Sequence, residues 1–407
     1  MAEASPCFHG GSFFAAIGEE FDDLSRRRRV VNADVLDAPF PPSPRVRAAL
    51  RGELPWLLRT SPPVHGEGLR RVIARTRGLP EPSLALGAGS SDLIFRAFTR
   101  WLTRRSRVLV PDPTYGEYAH VAANVVGAAL ERFELSASDG WTLDLEALAR
   151  RVRDGRFDLV VVVNPNNPTG AIVPREALER FLAGLPRRTL AWIDEAYVDY
   201  AGAGLTVERL AAASRRVVVC KSLSKGFALS GMRAAYLVGP PPLIAGLRRV
   251  TPPWCVGLPA QVAAVAALQS EGWYARRRER VHAWRAALRR ALSRSLARSG
   301  VRVADSCANW LLLQLPAPLR AADVVERCRA EGIFLRDAGA TSPVLGRGVV
   351  RVAVRTPAEN RRIVAALAAA LRSMAEAATA ARGRHDGPIP GASARPNAAP
   401  IALPVGG

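Results

Sequence analysis

Lysine is almost absent from this chain. Of its 57 basic residues all but two are arginine, and those two, Lys221 and Lys225, stand four residues apart in the stretch KSLSKGFALSGMR. Arginine therefore serves nearly every position that needs a positive charge alone. A guanidinium stays protonated, whereas a desolvated lysine amine can lose its proton and attack a carbonyl to form a Schiff base. The surviving lysines indicate amine chemistry.

Cysteines are few, and long apolar runs are missing. The cysteines are odd in number, widely spaced and form no CxxC pair, which favours reduced thiols over disulfides or a metal site; they are Cys7, Cys220, Cys255, Cys307 and Cys328. No apolar run reaches the roughly 18 to 20 residues that span a bilayer. The first residues carry acids where a signal peptide has basic residues and an apolar segment. We expect a cytoplasmic protein with no structural metal and no membrane partner.

Acidic residues are outnumbered, and the net charge of +21 raises the question of nucleic-acid binding. The arginines recur along amphipathic helical patterns such as EALARRVRDGR, where they form solvated faces. A single compact basic run, SRRRRV, occupies residues 25–30. This distribution predicts a solvated arginine-rich surface and no nucleic-acid partner.

Short apolar, β-branched runs alternate with helical patterns through the middle of the chain, which is typical of α/β proteins. Runs such as LVVVV indicate strands buried on both faces, as in a mostly parallel sheet covered by helices. The predicted strands are 106–111, 157–165, 189–197, 216–223 and 234–239. After about residue 270, a long arginine-rich helix, the runs NWLLLQL, GIFLRD and VVRVAVR, and a helix ending near 378 predict a smaller α+β domain. Residues 379–407 lack periodicity and predict a disordered tail.

Polar motifs follow three of the predicted strands. The loop NPNNPTG (164–170) comes after one buried strand, Asp194 and Glu195 end the next, and Lys225 follows a third. Ligands of open α/β sheets bind at the carboxyl ends of strands. Each motif alone has a structural alternative, because the loop can be a simple turn and a buried carboxylate commonly pairs with an arginine. A heteroaromatic N–H⁺ is the other candidate partner for Asp194.

The segment GAGSSDLIFRAFTRWL (87–102) is Gly-rich and then helical. Ser90 suits an N-cap, and the exposed amides of the first turn suit a phosphate, although an ordinary capped helix is the alternative. Together the motifs supply an amine for a Schiff base, an acid for a ring nitrogen, groups for a phosphate and a flanking aromatic. These are the requirements of pyridoxal 5'-phosphate (PLP).

Residues 8–372 resemble the fold-type I PLP-dependent aminotransferases of class I/II, and most of all the histidinol-phosphate aminotransferases and threonine-phosphate decarboxylases. The resemblance implies a PLP-dependent transferase fold: a large domain with a mostly parallel, seven-stranded sheet sandwiched by helices, and a smaller α+β domain. We expect the large domain at 46–270 and the small one at 271–378, joined by the N-terminal segment 1–45. The family also implies a homodimer.

Carried over residue by residue, the resemblance assigns three catalytic residues. Lys225 in SLSK matches the lysine that bonds covalently to the cofactor, Asp194 in DEAY matches the partner of the pyridine nitrogen, and Tyr197 matches one of the two hydrogen-bond partners of the phenolic oxygen. Asn167 matches the other partner, and Tyr115 in PTYGEY matches the aromatic on the ring face. The implied phosphate ligands are Ser90, Ser91, Ser222 and Arg233.

The residues also make chemical sense together. Bound PLP withdraws electrons from the Cα of a substrate amine while its ring nitrogen is protonated, and Asp194 would keep it protonated by a charge-assisted hydrogen bond. Lys225, displaced by the substrate, would be a free amine beside Cα. It could then carry a proton from Cα to the aldehyde carbon of the cofactor. These roles predict transamination between an amino donor and a 2-oxo acid.

Further residues are assigned to the substrate by the resemblance. Arg351 in VVRVAVR matches an arginine that grips a carboxylate, and Arg336 in GIFLRD is placed over the active site, a surface position being the alternative for each. His9 in HGG, the stretch PPWCVGLPAQ (252–261) and Arg355 resemble the threonine-phosphate decarboxylases. In that branch the N-terminal histidine and the extra arginines help to bind a substrate phosphate. Decarboxylation of a phosphorylated amino acid is therefore the alternative function.

Two departures from the family bear on the substrate. The N-terminal Asn-Glu-Asn-Pro run appears here as LDAPF (36–40), and Thr60 and Ser61 stand near the place of the tyrosine that reaches the cofactor phosphate from the partner subunit. We expect an aminotransferase for an amino acid or a phosphorylated amine resembling histidinol phosphate. A non-catalytic PLP-binding regulator is the rival of another class, but no helix-turn-helix pattern precedes residue 30.

Overall fold

The computed structural model describes residues 10–385, so that His9 and residues 386–407 of the predicted tail lie outside the described residues. The strands are β1 Val31–Asn32, β2 Leu84–Gly87, β3 Arg107–Asp112, β4 Ala129–Glu134, β5 Leu159–Val163, β6 Leu190–Asp194, β7 Val217–Ser222, β8 Ala235–Val238, β9 Arg302–Ala304, β10 Trp310–Gln314, β11 Ile333–Phe334, β12 Arg336–Asp337 and β13 Val349–Ala353. The helices are α1 Phe14–Ile17, α2 Pro44–Arg59, α3 Glu67–Arg77, α4 Ser90–Trp101, α5 Glu117–His120, α6 Leu145–Gly155, α7 Arg175–Ala183, α8 Val198–Ala201, α9 Glu208–Ala213, α10 Pro241–Arg248, α11 Leu258–Leu268, α12 Glu271–Ser295, α13 Ala321–Ala330 and α14 Pro357–His385.

The large sheet has seven strands in the order β2-β8-β7-β6-β5-β3-β4. Strands β4, β3, β5, β6 and β7 run parallel, and β8 is antiparallel to both of its neighbours. This confirms the predicted mostly parallel seven-stranded sheet and the α/β fold class. All five strands predicted in this part of the sequence are present, each shorter at one or both ends than predicted or shifted by one residue.

The strand pattern LVVVV is buried on both faces, as its sequence predicts. Val160 and Val162 of β5 belong to one apolar cluster with Leu148 of α6, whereas Val161 belongs to a second cluster with Phe98 of α4. Successive side chains of a strand point to opposite faces, so helices cover the sheet from both sides. Full burial of each valine contributes about 1.5 to 3 kcal/mol.

The C-terminal part forms an antiparallel sheet in the order β12-β13-β10-β9. The N-terminal segment reaches it, because β1 pairs in parallel with β11 and the Ala353 amide donates to the Ala33 carbonyl at 2.9 Å. The last helix runs to His385, past its predicted end near 378. The domain boundaries themselves stay a prediction. Within residues 10–385, no helix is both long and apolar enough to cross a membrane.

Candidate active site

A cavity of about 540 Å³ opens at the carboxyl ends of β3, β5, β6 and β7, below the C-terminal sheet. Nine of the predicted site residues line it: Ser90, Tyr115, Asn167, Asp194, Tyr197, Ser222, Lys225, Arg336 and Arg351. Ser91 and Arg233 adjoin it through the contacts described below. The sheet therefore brings together residues that lie up to about 260 positions apart in the chain, as the crossover connections of a parallel sheet require.

Lys225 lies three residues beyond the end of β7 and faces the cavity. Its Nζ is 3.6 Å from Asp37 Oδ1, and the Tyr200 hydroxyl donates to its main-chain carbonyl at 3.1 Å. Burial lowers the pKa of the amine below its ordinary value, and the charge of Asp37 opposes that shift in part. A larger fraction of Lys225 is thus neutral, and nucleophilic, at neutral pH than of an exposed lysine.

Lys221, the other lysine, is enclosed in a buried ion cluster. Its Nζ lies 3.4 Å from Glu195 Oε2 and 3.7 Å from Asp199 Oδ1. Burial lowers the pKa of this amine, but Asp199, Glu208 and Glu195 raise it more, so that the net shift is upward. Lys221 is therefore a charged partner of acids, and the indicated amine chemistry falls to Lys225 alone.

Asp194 ends β6 and presents its carboxylate to the cavity from a position that is 4% exposed. Its Oδ2 accepts a hydrogen bond from the Tyr118 hydroxyl at 2.6 Å, and its Oδ1 accepts one from the Ala196 amide at 2.8 Å. Burial raises the pKa of Asp194, and these two hydrogen bonds oppose the rise. A carboxylate held in this way can pair with a cationic ring nitrogen.

Asn167 and Tyr197 lie next to Arg351. The Arg351 Nη1 donates to Asn167 Oδ1 at 2.6 Å, which leaves the Asn167 amide nitrogen available to donate elsewhere. Burial raises the pKa of Tyr197 although the charge of Arg351 opposes it, so the hydroxyl remains a donor. The ring of Trp310 packs edge-on against Tyr197 at 4.7 Å and fixes its place.

The start of α4 forms an anion cradle with Arg233. Gly89, at φ +92°, is the N-cap, and Ser90 is the first helical residue rather than the N-cap suggested by the sequence. A Cβ at Gly89 would lie 2.3 Å from Arg233 Nη2, so the guanidinium lies directly against the helix start. Arg233 Nη1 also lies 3.5 Å from the hydroxyl of Ser224, which sequence reasoning missed although it immediately precedes Lys225.

Ser91 is engaged with Glu117, which the sequence reasoning also missed. The Ser91 hydroxyl donates to Glu117 Oε2 at 2.9 Å, and the Tyr115 hydroxyl donates to the same oxygen. Burial, with the charge of Glu117, raises the pKa of Tyr115 well above its ordinary value. Glu117 thus ties the aromatic residue of the cavity wall to the first turn of α4. The only sequence signal was its place inside PTYGEY.

The two arginines from the C-terminal sheet differ in whether a nearby carboxylate balances their charge. Arg336 Nε lies 2.7 Å from Asp34 Oδ1, with both side chains buried. Arg351 has no carboxylate within ion-pair distance among residues 10–385, and its Nη2 donates to the Asp34 carbonyl at 2.8 Å. Burial, with the charge of Arg336, lowers the pKa of Arg351 to about 10. A buried guanidinium without a counter-charge on a cavity wall is suited to an incoming anion.

The positions flagged as family departures lie at two different places. Asp37 of LDAPF faces Lys225, and its carbonyl accepts from Arg355 Nη1 at 3.1 Å. Thr60 follows the end of α2 and is half-buried, and Ser61 is exposed. The sequence shows that LDAPF departs from the family pattern, but no local pattern links its aspartate to the lysine.

The donor set of the cavity fits PLP. The amides at the start of α4, the Ser90 and Ser222 hydroxyls and Arg233, which forms no ion pair within the described residues, suit a phosphate. Asp194 suits a protonated ring nitrogen, and Lys225 suits an aldehyde carbon.

Comparison with known proteins agrees with this geometry. The model of the family "Aminotransferase class I and II" matches residues 33–367. A histidinol-phosphate aminotransferase of Stenotrophomonas maltophilia is 36% identical over 306 residues, covering 74% of this chain and 81% of the relative. One from Symbiobacterium thermophilum is 31% identical over 358 residues, covering 87% of this chain and 95% of the relative.

Solved structures share the fold. The histidinol-phosphate aminotransferase of Sinorhizobium meliloti, in complex with pyridoxal-5'-phosphate, has a TM-score of 0.77 at 23% identity and covers 92% of this chain and 99% of its own. The L-threonine-O-3-phosphate decarboxylase of Porphyromonas gingivalis has a TM-score of 0.74 at 21% identity, covering 84% and 100%. Identities this low show the fold alone. The family match and the closer sequence relatives together establish that the chain belongs to the class I and II aminotransferases and is a PLP-dependent aminotransferase.

Proposed function

We propose that this aminotransferase exchanges an amino group between a phosphorylated amine resembling histidinol phosphate and a 2-oxo acid. Arg351 carries the proposal, because a buried guanidinium with no carboxylate partner among the described residues lines the cavity. Phosphate and carboxylate are both oxyanions that a guanidinium can bind with two parallel hydrogen bonds, so one side chain can serve both substrates in turn. The names of the sequence relatives support the choice of amine.

Bound PLP supplies an electron sink for negative charge at the substrate Cα. Asp194 would hold a proton on its ring nitrogen, Tyr115 would cover one face of its ring, and the Tyr197 hydroxyl and Asn167 amide would donate to its phenolic oxygen. The phosphate would be bound by Ser90, Ser222 and Arg233. Ser91 lies beside them in the first turn of α4 and is assigned to the same phosphate. These assignments follow the donors and acceptors that line the cavity or, for Ser91 and Arg233, adjoin it.

Lys225 acts as the general base and acid. Its amine, which burial makes easier to deprotonate, would take the proton from the substrate Cα and deliver it to the aldehyde carbon of the cofactor. The Tyr200 bond to its main-chain carbonyl fixes where the side chain begins. Because Lys221 is enclosed by Glu195 and Asp199, it takes no part in the proton transfer.

Arg351 binds the anionic group of each substrate, and Arg336 borders the same space with its charge balanced by Asp34. His9 stays a predicted phosphate contact outside the described residues. No specific observation favours decarboxylation, because the solved decarboxylase shares the fold with this chain at an identity too low to indicate its reaction.

We further propose that the enzyme is a homodimer. Five apolar side chains near the end of α2 and on the segments that follow are exposed, and they support a partner that covers them together as one apolar patch: Leu54, Trp56, Leu58, Val64 and Trp254. Leu58 is 71% exposed and Trp254 is 54% exposed, and the Trp254 amide donates to the Val64 carbonyl at 2.9 Å, which joins the two segments. Exposed aromatic residues in one patch are typical of interaction surfaces.

Replacing Arg351 by alanine tests the substrate assignment. We expect the apparent affinity for both the phosphorylated amine and the 2-oxo acid to weaken by roughly 2 to 4 kcal/mol, since each loses a charge-paired contact in a buried site. Arg329→Ala is the matched control, because Arg329 lies on α13 and pairs with Glu326 on the surface. Unchanged affinity in Arg351→Ala, with cofactor still bound, would exclude the assigned role.

A further inference from the structure

Tyr118 is a fully buried tyrosine behind Asp194, and the proposed mechanism makes no use of it. It belongs to α5, directly after Glu117, and its side chain is 0% exposed. Its hydroxyl donates to Asp194 Oδ2 at 2.6 Å and accepts from the Trp192 indole nitrogen at 2.9 Å. Burial, with the charge of Asp194, raises the pKa of Tyr118 well above its ordinary value, so the hydroxyl keeps its proton.

The three side chains are linked by two hydrogen bonds, with Tyr118 between Trp192 and Asp194. Trp192 and Asp194 are two residues apart on this strand and therefore point to the same face of the sheet. Tyr118, on α5, contacts both of these side chains from the helices that cover this face of the sheet. Phe98 packs against the Trp192 ring at 5.3 Å and the Tyr118 ring at 6.0 Å, which restricts both rotamers. The Asp194 carboxylate thus meets a donor whose own position is fixed.

We propose that Tyr118 is a positioning residue that fixes the Asp194 carboxylate for a protonated ring nitrogen, and that Trp192 fixes Tyr118 in turn. The inference rests on the proposed role of Asp194. The charge of Lys221 favours the Asp194 anion, but this lysine is paired with Glu195 and Asp199. Glu117 and burial both disfavour the anion, and Asp194 forms no ion pair among the described side chains, so neighbouring charges do not suffice for this task. The Tyr118 hydroxyl and the Ala196 amide are the donors that offset this cost.

Loss of the Tyr118 hydroxyl has two local consequences. Asp194 keeps one donor, the Ala196 amide, and its anion becomes less stable in the buried site. The Trp192 N–H loses its acceptor and is left unpaired. A carboxylate that takes up a proton more readily draws the shared proton from the ring nitrogen to its own oxygen, so a smaller fraction of the ring nitrogen is protonated and the electron sink weakens.

The test is Tyr118→Phe, with Tyr236→Phe as the matched control. Tyr236 is also 0% exposed, and its hydroxyl also donates to a buried carboxylate, that of Glu208, at 2.7 Å. Two readouts are compared: the protonation of the ring nitrogen by ¹⁵N NMR of PLP-loaded protein across pH, and the Asp194 carboxyl titration by ¹³C NMR without PLP. Both substitutions remove a buried hydrogen bond from a tyrosine hydroxyl to a carboxylate, so the structural effect of that loss is common to both, and Tyr118→Phe removes the Trp192 hydrogen bond in addition.

We expect Tyr118→Phe to lower the fraction of ring nitrogen that is protonated at neutral pH, to raise the pKa of Asp194 in the PLP-free protein, and to lower kcat about tenfold with little change in KM. Tyr236→Phe should leave both titrations as in the wild type. Equal titrations in Tyr118→Phe and the wild type would overturn the inference. If Tyr118→Phe does not fold, Trp192→Phe, which removes the indole donor to Tyr118, should shift both titrations in the same direction by less, and no shift would equally overturn it.

Asp194→Asn separates failure of this inference from failure of the proposed function. If Asp194→Asn leaves the ring nitrogen protonated as in the wild type, Asp194 is not its partner and the proposed role fails. If Asp194→Asn releases the ring proton and Tyr118→Phe does not, the role of Asp194 stands and that of Tyr118 falls.

Discussion

The two lysines differ in what surrounds their amines. Lys221 lies between Glu195 and Asp199 and is 2% exposed, whereas Lys225 reaches the cavity and meets the single carboxylate of Asp37. Burial lowers the pKa of Lys225, and the carboxylates around Lys221 raise its pKa instead. The same residue type therefore gives a structural cation at one position and a nucleophile four residues later.

Substituting Asp37 by asparagine should lower the pKa of Lys225 further. The Asp37 carboxylate stabilises the protonated amine, so its removal favours the neutral form, and the amine should react at lower pH. The measurement is the pH dependence of labelling by a small neutral amine reagent in PLP-free protein, read at Lys225 by peptide mass mapping. Since Lys221 is the only other lysine and is buried, the signal is specific.

Asp22→Asn is the control for this labelling, because Asp22 is an exposed acid that pairs with Arg26. This substitution should leave the pH midpoint of Lys225 labelling unchanged. A midpoint in Asp37→Asn at or above that of the wild type, or labelling of Lys221 as fast as that of Lys225, would contradict the account.

At the scale of elements, the sheet was predictable where strands are continuous apolar runs. Residues such as Val160 to Val163 have no polar face, so burial on both sides follows from the sequence. Strand β4, ALERFE, was missed because it is an edge strand with charged, partly exposed positions, and β2 was missed because it is four residues long and ends at Gly87. Neither has the pattern of a buried strand.

The contacts that tune the site were not predictable from the sequence. Tyr118 and Asp194 are 76 positions apart, and Lys225 and Asp37 are 188 apart, so no local spacing links them. Motifs at strand ends located Asp194 and Lys225, because the carboxyl edge of a parallel sheet gathers ligand-binding groups. The partners of these residues come from α5 and the N-terminal segment, whose docking only the structure shows.

The junction between β2 and α4 should depend on Gly89. An alanine there needs a φ near +92°, which L-residues avoid, and its Cβ would lie 2.3 Å from Arg233 Nη2. We expect Gly89→Ala to displace the guanidinium and to weaken PLP binding by about tenfold or more, as for losing a charge-assisted contact. Equilibrium dialysis against PLP measures this affinity.

Gly246→Ala in α10 is the control, because a Cβ at this position meets nothing within 4 Å. It should bind PLP as the wild type does. Wild-type affinity in Gly89→Ala as well would exclude the start of α4 and Arg233 as the phosphate cradle.

At the scale of the whole molecule, a large positive charge and an apolar patch act against each other. The net charge of +21 repels two copies of the chain at low ionic strength, and the patch around Trp56, Leu58 and Trp254 favours their association. Association should therefore strengthen as salt rises from low to physiological concentration, because salt screens the charges and leaves the apolar contact.

Sedimentation velocity across protein and salt concentrations tests this dimer. The wild type should sediment as a dimer at physiological salt, and Trp254→Asp should sediment as a monomer, since the charge would be buried against apolar side chains. Phe21→Asp is the control: Phe21 is 57% exposed but packs beside Phe14 in the N-terminal segment. A wild type that stays monomeric, or a Phe21→Asp variant that dissociates like Trp254→Asp, would contradict the proposed interface.

The central claim is that the enzyme takes an amino group from a phosphorylated amine, with Lys225 as the general base and acid. An absorbance titration tests this claim most directly. PLP-loaded protein is mixed with histidinol phosphate, O-phosphothreonine and common amino acids in turn, with carbon dioxide monitored, and a 2-oxo acid is then added. The account predicts that histidinol phosphate converts the bound cofactor to its aminated form, that the 2-oxo acid restores the starting spectrum, and that Lys225→Arg does neither. Release of carbon dioxide from O-phosphothreonine with the spectrum unchanged, or no conversion by histidinol phosphate, would contradict it.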